Sequence, residues 1–376
     1  MSRLLVWVQH LWGIGHAARI AAIAKACRET GIETTVMHGG APRPGIYGEG
    51  VRVVTLPAIR SLDAQFTALV TAQGTPVTQD QWAERLRVMR ETLRETRPDT
   101  ILTEMFPFGR RAFARELLPF LEEARILTPR PRILASLRDI LVAPSTQKKW
   151  RDSEEIFRAF YDGALVHADE TIIPLSRTCP FANAIRTRLT YTGYVADEAA
   201  GRQSAHGEII VSGGGGASGF ALCRVALEAA RRSEEGSPWR IIAGPAMPEE
   251  AWRELIAMSG PAILMREMPD LSSWVAGARA SISRAGYNTV METWRARIPM
   301  ILVPFATEKE TEQRQRAEHL ASLDQAIHLP EAALSPDALR EALARAKPPA
   351  PLPIRFDGAQ ETARLLAARA QARAHA

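Results

Sequence analysis

Val211-Ser212-Gly213-Gly214-Gly215-Gly216-Ala217-Ser218-Gly219 is the stretch whose reading decides the fold. An apolar run at 208–211 precedes it and an amphipathic run at 218–232 follows it, so it reads as strand, glycine turn, helix. Each of four consecutive glycines costs ordering entropy, and packing alone gives no reason to keep them. A backbone cradle for phosphate oxygens does, because glycine lets an anion approach the N–H groups where a helix begins. The loop lacks the Lys-Ser/Thr pair of a P-loop, so triphosphate hydrolysis is not indicated. A flexible hinge is the plain alternative.

The same grammar opens the chain. An apolar run at 4–8 leads into Gly13-Ile14-Gly15-His16-Ala17-Ala18-Arg19, which opens a helix. The dinucleotide fingerprint is incomplete there, with Arg19 near the place of its third glycine. His16 stands at the C-terminal edge of the expected sheet, where open α/β folds bind ligands. It is a candidate general base, its unperturbed pKa lying near 6.5; a turn or N-cap histidine without chemistry is the alternative.

Between these two starts the pattern alternates. Strands are expected at 4–8, 34–37, 51–56, 100–103, 133–137, 163–166, 170–173 and 189–192, then at 208–211, 240–243, 262–264, 280–282, 300–303 and 325–328. Helices fit at 17–29, 79–96, 110–124, 154–160, 218–232, 248–259, 270–276, 288–295, 310–323 and 335–346. Alternation of this kind predicts parallel sheets covered by helices, an α/β fold. The small, polar, aperiodic segment 196–207 separates two Rossmann-like domains, expected at 1–196 and 207–347, with a ligand cleft between them. The proline-rich segment 348–353 stops the second domain, and the Ala/Arg-rich segment 359–376 is a helix that either packs back on the first domain or frays.

Composition narrows the class. A chain of 376 residues is too long for one ordinary core, and 46% hydrophobic with 24% charged residues excludes wholesale disorder. No apolar run is long enough to span a membrane. The run at 4–8 ends at Gln9-His10 with no cleavage site behind it, so it reads as a strand rather than a signal peptide. Cys27, Cys179 and Cys223 are far apart and odd in number, which fits a reducing cytoplasm and excludes a disulfide scaffold. The net charge of +5 comes mostly from arginines spread along the chain. Nucleic-acid binding concentrates such charge in one stripe with aromatics, so it is not expected here. An anionic small ligand or membrane surface remains compatible.

Two further segments carry polar groups at strand ends. In Ser283-Arg284-Ala285-Gly286-Tyr287-Asn288-Thr289-Val290-Met291-Glu292, Gly286 permits a turn and Asn288 or Thr289 can cap a helix. Glu292 lies one turn into it, suited to a ribose diol or merely complementing the helix dipole. After Val303-Pro304-Phe305, the run Glu310-Thr311-Glu312-Gln313-Arg314-Gln315-Arg316 places Gln313 and Arg316 on one helix face, which by itself reads as solvated.

Together these residues resemble the GT-B glycosyltransferases, in particular the bacterial group around the lipid-linked N-acetylglucosaminyltransferase of peptidoglycan synthesis. Within that group the chain is similar to a family of predicted glycosyltransferases marked by Gly13–Arg19, Pro107-Phe108-Gly109, Arg138-Asp139-Ile140, Tyr191-Thr192-Gly193-Tyr194-Val195 and Ala285–Thr289. The resemblance spans about residues 3–345. It implies a nucleotide-sugar donor, with uracil expected as the base, held mainly by the second domain. Ser212, Gly213, Gly214 and Gly215 would contact the diphosphate, with Gly216 closing the loop. The loop from Met265 to Met268, before a helix at Asp270, would meet the base, and Glu292 would bind the ribose. Arg284, Gly286, Asn288 and Thr289 would stand at the phosphates; Glu310, Glu312 and Gln313 would reach the sugar hydroxyls. A hydroxyl acceptor, lipid-linked in some relatives, would sit near His16, Gly15, Glu104, Phe106, Arg138 and Asp139. His16 would deprotonate it for an inverting displacement at C1. No metal and no cofactor are expected, since N–H groups and a helix dipole can hold the leaving diphosphate. Cell-envelope or polysaccharide biosynthesis would be its setting.

The pattern departs from the peptidoglycan enzyme at Leu11-Trp12, where that enzyme is glycine-rich, so its acceptor is not carried over. Nucleotide-sugar hydrolases share the Gly13–Arg19 pattern, with the histidine activating water. A 2-epimerase and a binding protein without turnover are further readings. The segment 60–97 and Ala285–Thr289 favour transfer. Phe106, Phe108, Arg110, Arg111, Phe113 and Arg115 could form a patch touching the inner face of an anionic bilayer. The alternative is an ordinary amphipathic helix with its aromatics in the core.

Overall fold

The computed structural model describes residues 2–11, 13–61, 68–196, 207–215, 217–233, 237–268, 271–305, 307 and 311–374. It divides into two compact units, Met1–Val195 with Ile354–Ala376, and Ala196–Pro353.

In the first unit the apolar run Leu4-Leu5-Val6-Trp7-Val8 makes the body of β1 (Arg3–Val8), and all five side chains are buried. A strand tolerates such a run when helices cover both faces of its sheet. The chain continues through α1 (Gly15–Glu29), β2 (Glu33–His38), β3 (Arg52–Thr55), β4 (Ile59–Ser61), β5 (Leu69–Thr71) and α2 (Gln79–Thr96). It then runs through β6 (Thr100–Glu104), α3 (Ala114–Ile126), β7 (Arg132–Arg138), α4 (Gln147–Phe160), β8 (Gly163–His167) and β9 (Leu189–Tyr191). Seven of these strands form a parallel sheet in the order β3-β2-β1-β6-β7-β8-β9. Val6 is opposite Val36 on one side and Leu102 on the other.

The second unit repeats the scheme with β10 (Ile209–Ser212), α5 (Phe220–Arg231), β11 (Trp239–Ile242), α6 (Glu249–Ala257), β12 (Ile263–Met265) and α7 (Leu271–Val275). It closes with β13 (Ala280–Ser283), α8 (Tyr287–Ala296), β14 (Met300–Leu302), α9 (Glu312–Ser322), β15 (Ile327–His328) and α10 (Pro336–Arg345). Its parallel sheet has the order β12-β11-β10-β13-β14-β15, and its core includes Ile209, Val211, Leu222, Ile241 and Ile282. The chain then returns to the first unit as α11 (Gly358–Ala374), where Ala359, Ala363 and Leu366 share a core with Leu4, Ile20, Ile23 and Val36.

Local signals explain several boundaries. At the start of α2, Thr78 Oγ1 accepts from the Gln81 amide and Gln81 Oε1 accepts from the Thr78 amide, a reciprocal cap. Arg97, left-handed at φ 40°, ends that helix.

Other expectations do not hold. Residues 170–173 are no strand: Asp169 Oδ1 accepts from the Thr171 amide (2.9 Å) and hydroxyl (2.6 Å), which folds the segment into a turn. The helix expected at 110–124 begins as a 3-10 turn over Arg111–Phe113, after left-handed Arg110 at φ 54°. The antiparallel hairpin β4–β5 has no counterpart among the expected strands.

The aromatics of the suggested bilayer patch are core. Phe106, Phe108 and Phe113 are buried, Phe108 stacking on Phe181 and Phe113 meeting Trp7 and Trp82 edge-on. Arg111 lies over Trp150 and Arg115 over Trp82. Among the described residues no helix is long and apolar enough to cross a membrane.

Candidate active site

In the first unit the chain builds β1, β2 and β3 outward in one direction, then returns to place β6 on the other flank of β1. That reversal lies at the C-terminal ends of β1 and β6, the place where open parallel sheets bind ligands. α1 starts there with His16 as its second residue, and β6 ends there on Glu104. His16 Nδ1 lies 2.9 Å from Glu104 Oε1, although 88 residues separate them. Arg19, one turn along α1, donates Nη2 to the same oxygen. Glu104 is fully buried, and 14% of the His16 side chain is exposed.

The electrostatics follow from burial and charge. Burial alone would raise the Glu104 pKa, but the Arg19 charge and hydrogen bonds from His16 and Ser136 bring it down to about 2. Glu104 is therefore a carboxylate that only accepts, and His16 Nδ1 must carry the hydrogen between them. Burial, then the charge of Arg110, push the His16 pKa well below 6.5; Glu104 opposes them and Arg138 adds to them. At neutral pH the ring is neutral and Nε2 carries its lone pair. This is the tautomer a general base requires.

Around this pair the expected residues divide. Gly15 opens α1 beside His16. Arg138 ends β7 half-buried, and its charge reaches His16. Asp139 is fully buried, and its Oδ1 accepts from the Ile140 amide (2.9 Å). Sequence reasoning misses Ser136 and His167. Ser136 is opposite Glu104 in the β6–β7 register, and its hydroxyl lies 2.5 Å from Glu104 Oε2. His167, the last residue of β8, brings Nε2 to 3.0 Å from Ser136 Oγ. Polar residues at the C-terminal ends of otherwise apolar strands are the signal that could have found them.

The second unit has its reversal at β10 and β13, which places the loop after β10 beside the segment after β13. Of the four consecutive glycines, Gly213 has a packing reason. A Cβ on Gly213 would lie 3.0 Å from both Ala243 O and Cys223 Sγ, and one on Gly219 would lie 2.6 Å from Gly213 O. Gly214 is left-handed at φ +85°; Gly244, at φ +100°, would bring a Cβ to 2.0 Å from Gly214 O. The loops after β10 and β11 thus cross backbone to backbone. Ser212 and Gly213 are buried, whereas Gly214 and Gly215 are partly exposed. Gly216, Asp270 and Glu310 lie outside the described residues.

Two expected donor ligands have partners within the unit. Arg284, 3% exposed, donates to Ser218 O (2.5 Å) and Val303 O (3.4 Å) and pairs with Glu331 (2.6 Å). It braces the turn behind the glycine loop, because a buried guanidinium needs such acceptors. Glu312 Oε1 accepts from Arg316 Nη2 (2.5 Å), whose Nη1 donates to Ala285 O (2.8 Å), so Glu312 balances a fully buried cation. Gln313 Oε1 accepts from the Phe305 amide (2.9 Å), holding the exit of β14. Gly286 caps α8, and Asn288, Thr289 and Glu292 are partly exposed in its first turns. Met265 ends the edge strand β12, its sulfur 3.6 Å from Arg240 Nη1. Among the described residues no three His, Cys, Asp or Glu side chains group so as to hold a metal ion.

Known proteins share both the sequence of the second unit and the fold of the whole. Residues 209–367 match the glycosyltransferase family 28 C-terminal domain. Over 74 residues the chain is 38% identical to the UDP-N-acetylglucosamine–N-acetylmuramyl-(pentapeptide) pyrophosphoryl-undecaprenol N-acetylglucosamine transferase of Methylibium petroleiphilum. That match spans 20% of this chain and 20% of that protein. CalG4, the calicheamicin glycosyltransferase, superposes with a TM-score of 0.60 at 16% identity, covering 100% of this chain and 98% of its own. MurG of Acinetobacter baumannii superposes with a TM-score of 0.59 at 13% identity, covering 98% of this chain and 100% of its own. The family match lies almost wholly in the second unit, and the superpositions extend over both. Residues 209–367 thus resemble the glycosyltransferase family 28 C-terminal domain, and the chain as a whole has the GT-B glycosyltransferase fold.

Proposed function

We propose that the chain is an inverting, metal-independent glycosyltransferase that moves a hexose or N-acetylhexosamine from a nucleotide-sugar to a hydroxyl acceptor in cell-envelope or polysaccharide synthesis. The observation that carries this reading is the His16–Glu104 pair, with Nδ1 committed to a buried carboxylate and Nε2 left as the base. The acceptor is assigned to the first unit, where the acceptor oxygen would attack C1 of the sugar as its proton passes to His16 Nε2. The C1–O bond to the diphosphate breaks with inversion, and Glu104 stabilises the imidazolium. A positioned base of this kind contributes about 10²–10⁴ in rate.

The donor is assigned to the second unit. Gly214 and Gly215 expose backbone after β10, and α8 begins at Gly286 beside them. N–H groups at such ends stabilise a departing diphosphate without a metal. The Methylibium relative is named for UDP-N-acetylglucosamine and an undecaprenol-linked acceptor, so that donor and lipid-linked acceptors are the first to try.

The test is a thermal-shift screen of UDP-, GDP-, dTDP- and ADP-sugars with their free diphosphates; a ligand at 100 times its Kd adds about 2.7 kcal/mol. The sugar that shifts melting is then given to hydroxyl acceptors, with His16→Ala as the inactive control. Nucleotide release that depends on acceptor and on His16 is the expected result. Free sugar released without acceptor identifies a hydrolase, and tight binding without release identifies a binding protein. No shift with any nucleotide-sugar overturns the proposal.

A further inference from the structure

We infer that Ser136 and His167 are positioning residues that hold Glu104, and through it the His16 imidazole, in the orientation the reaction uses. The inference rests on the reading of His16 as the base.

Hydrogen-bond directions can be worked out one atom at a time. Glu104 offers only acceptors, so the Ser136 hydroxyl, 2.5 Å from Oε2, donates its one hydrogen there. Ser136 Oγ can then only accept from His167 Nε2 at 3.0 Å, which fixes the hydrogen on Nε2. Burial and the Arg19 charge hold His167 neutral, with a pKa of about 3, so its Nδ1 is an acceptor. Thr192 Oγ1 lies 2.9 Å from that nitrogen and 3.0 Å from Gly193 O, the two acceptors within reach of its one hydrogen at these distances. Donation runs in one direction from His167 through Ser136 to Oε2 of Glu104, while His16 and Arg19 donate to Oε1. Thr192, His167, Ser136 and Glu104 are all 0% exposed.

This arrangement does more than satisfy buried groups. The terminal torsion of a glutamate is broad, so a carboxylate held at one oxygen can swing. Donors on both oxygens remove that freedom and keep Oε1 on His16 Nδ1. A serine alone would complete Oε2; the buried histidine behind it carries a desolvation cost that an apolar side chain would avoid. What the histidine adds is direction. It occupies the second lone-pair region of Ser136 with a donor, so the serine hydrogen can only point to Glu104. The charged groups that act on His16 are Arg110 in the segment after β6, Glu104 on β6 and Arg138 on β7, and Arg19 Nη2 on α1 lies 3.3 Å from Nδ1.

The experiment uses full-length protein labelled with ¹⁵N-histidine, with His16 assigned by loss of its signals in His16→Gln. Ring-nitrogen shifts report the tautomer without any substrate. The wild type should show His16 hydrogen on Nδ1 alone. Ser136→Ala and His167→Leu should give averaged ring shifts and a kcat lower by about ten- to a hundredfold, the cost of a misplaced group, at unchanged donor KM. His167→Gln keeps an N–H for Ser136 and should restore one tautomer and most of kcat, which separates positioning from a general folding defect. A single His16 tautomer with wild-type kcat in Ser136→Ala and His167→Leu overturns the inference. Averaged shifts in a protein whose turnover ignores His16→Ala would retain the positioning and remove the general-base reading.

Discussion

Acidification from pH 7 to pH 5 should destabilise the first unit by about 4 kcal/mol through two buried histidines. His10 has its pKa lowered to about 4, first by burial and then by the charges of His38, Arg110 and Arg43. His167 is lowered to about 3. In the unfolded chain both return to about 6.5. Below that value the unfolded chain takes up a proton at each site and the folded unit does not. The stabilisation is complete above pH 6.5 and falls as the pH drops towards the folded values. At pH 5 each histidine is about 1.5 pH units below its unfolded pKa, worth about 2 kcal/mol at 1.36 kcal/mol per unit. His16 and His38, also lowered, act with the same sign. Carboxylates titrate mainly below this window, which isolates the histidines. The assay is urea unfolding at pH 7, 6 and 5 and constant ionic strength, read by hydrogen exchange in peptides from β1 and β8 so that this unit is followed by itself. His10→Gln/His167→Gln is the control, because it removes the titrating groups whatever it does to absolute stability. Its loss between pH 7 and 5 should be smaller by about 4 kcal/mol. An unchanged slope in the double variant would refute the reasoning.

Two substitutions test the scaffold. Gly244→Ala should destabilise the second unit by more than about 2 kcal/mol, since φ is +100° and the new Cβ would meet Gly214 O at 2.0 Å; exchange in β10 and β11 peptides reads it. Arg85→Met should cost the first unit about 3–5 kcal/mol in urea unfolding, because Glu116, bonded to Arg85 at 2.6 and 2.7 Å with both side chains fully buried, loses its partner. Adding Glu116→Leu should recover the part due to the unpaired carboxylate, while Gly39 O, Pro57 O and Gln9 Oε1 still lack the Arg85 donors.

Local physics makes much of the architecture legible in the chain itself. Central parallel strands must be apolar on both faces, so β1 stands out as Leu4-Leu5-Val6-Trp7-Val8. The helix expected at 79–96 is α2, because Thr78, Gln81 and Arg97 act within one turn of its ends. Glycine turns between strand and helix mark where both sheets present their C-terminal edges. Where the outcome depends on partners distant in sequence, residue type misleads. Residues 170–173 look like a strand until Asp169 turns them, and Phe106, Phe108 and Phe113 read as patch or core until the fold buries them.

The site divides in the same way. His16 can be singled out from its place after a glycine turn, because that position depends on a few neighbouring residues. Its tautomer cannot, since it is set by Glu104 across 88 residues, and Glu104 is set in turn by Ser136 and His167. Arg284 and Glu312 read as ligands from sequence, yet each is engaged within the second unit, by Ser218, Val303 and Glu331 or by Arg316. Sequence by itself determined most of the segments that form strands, turns and helices, because those preferences act over a few residues. Only the tertiary structure decided which charged groups serve the fold and which can serve chemistry, because a buried charge is defined by partners that folding brings to it.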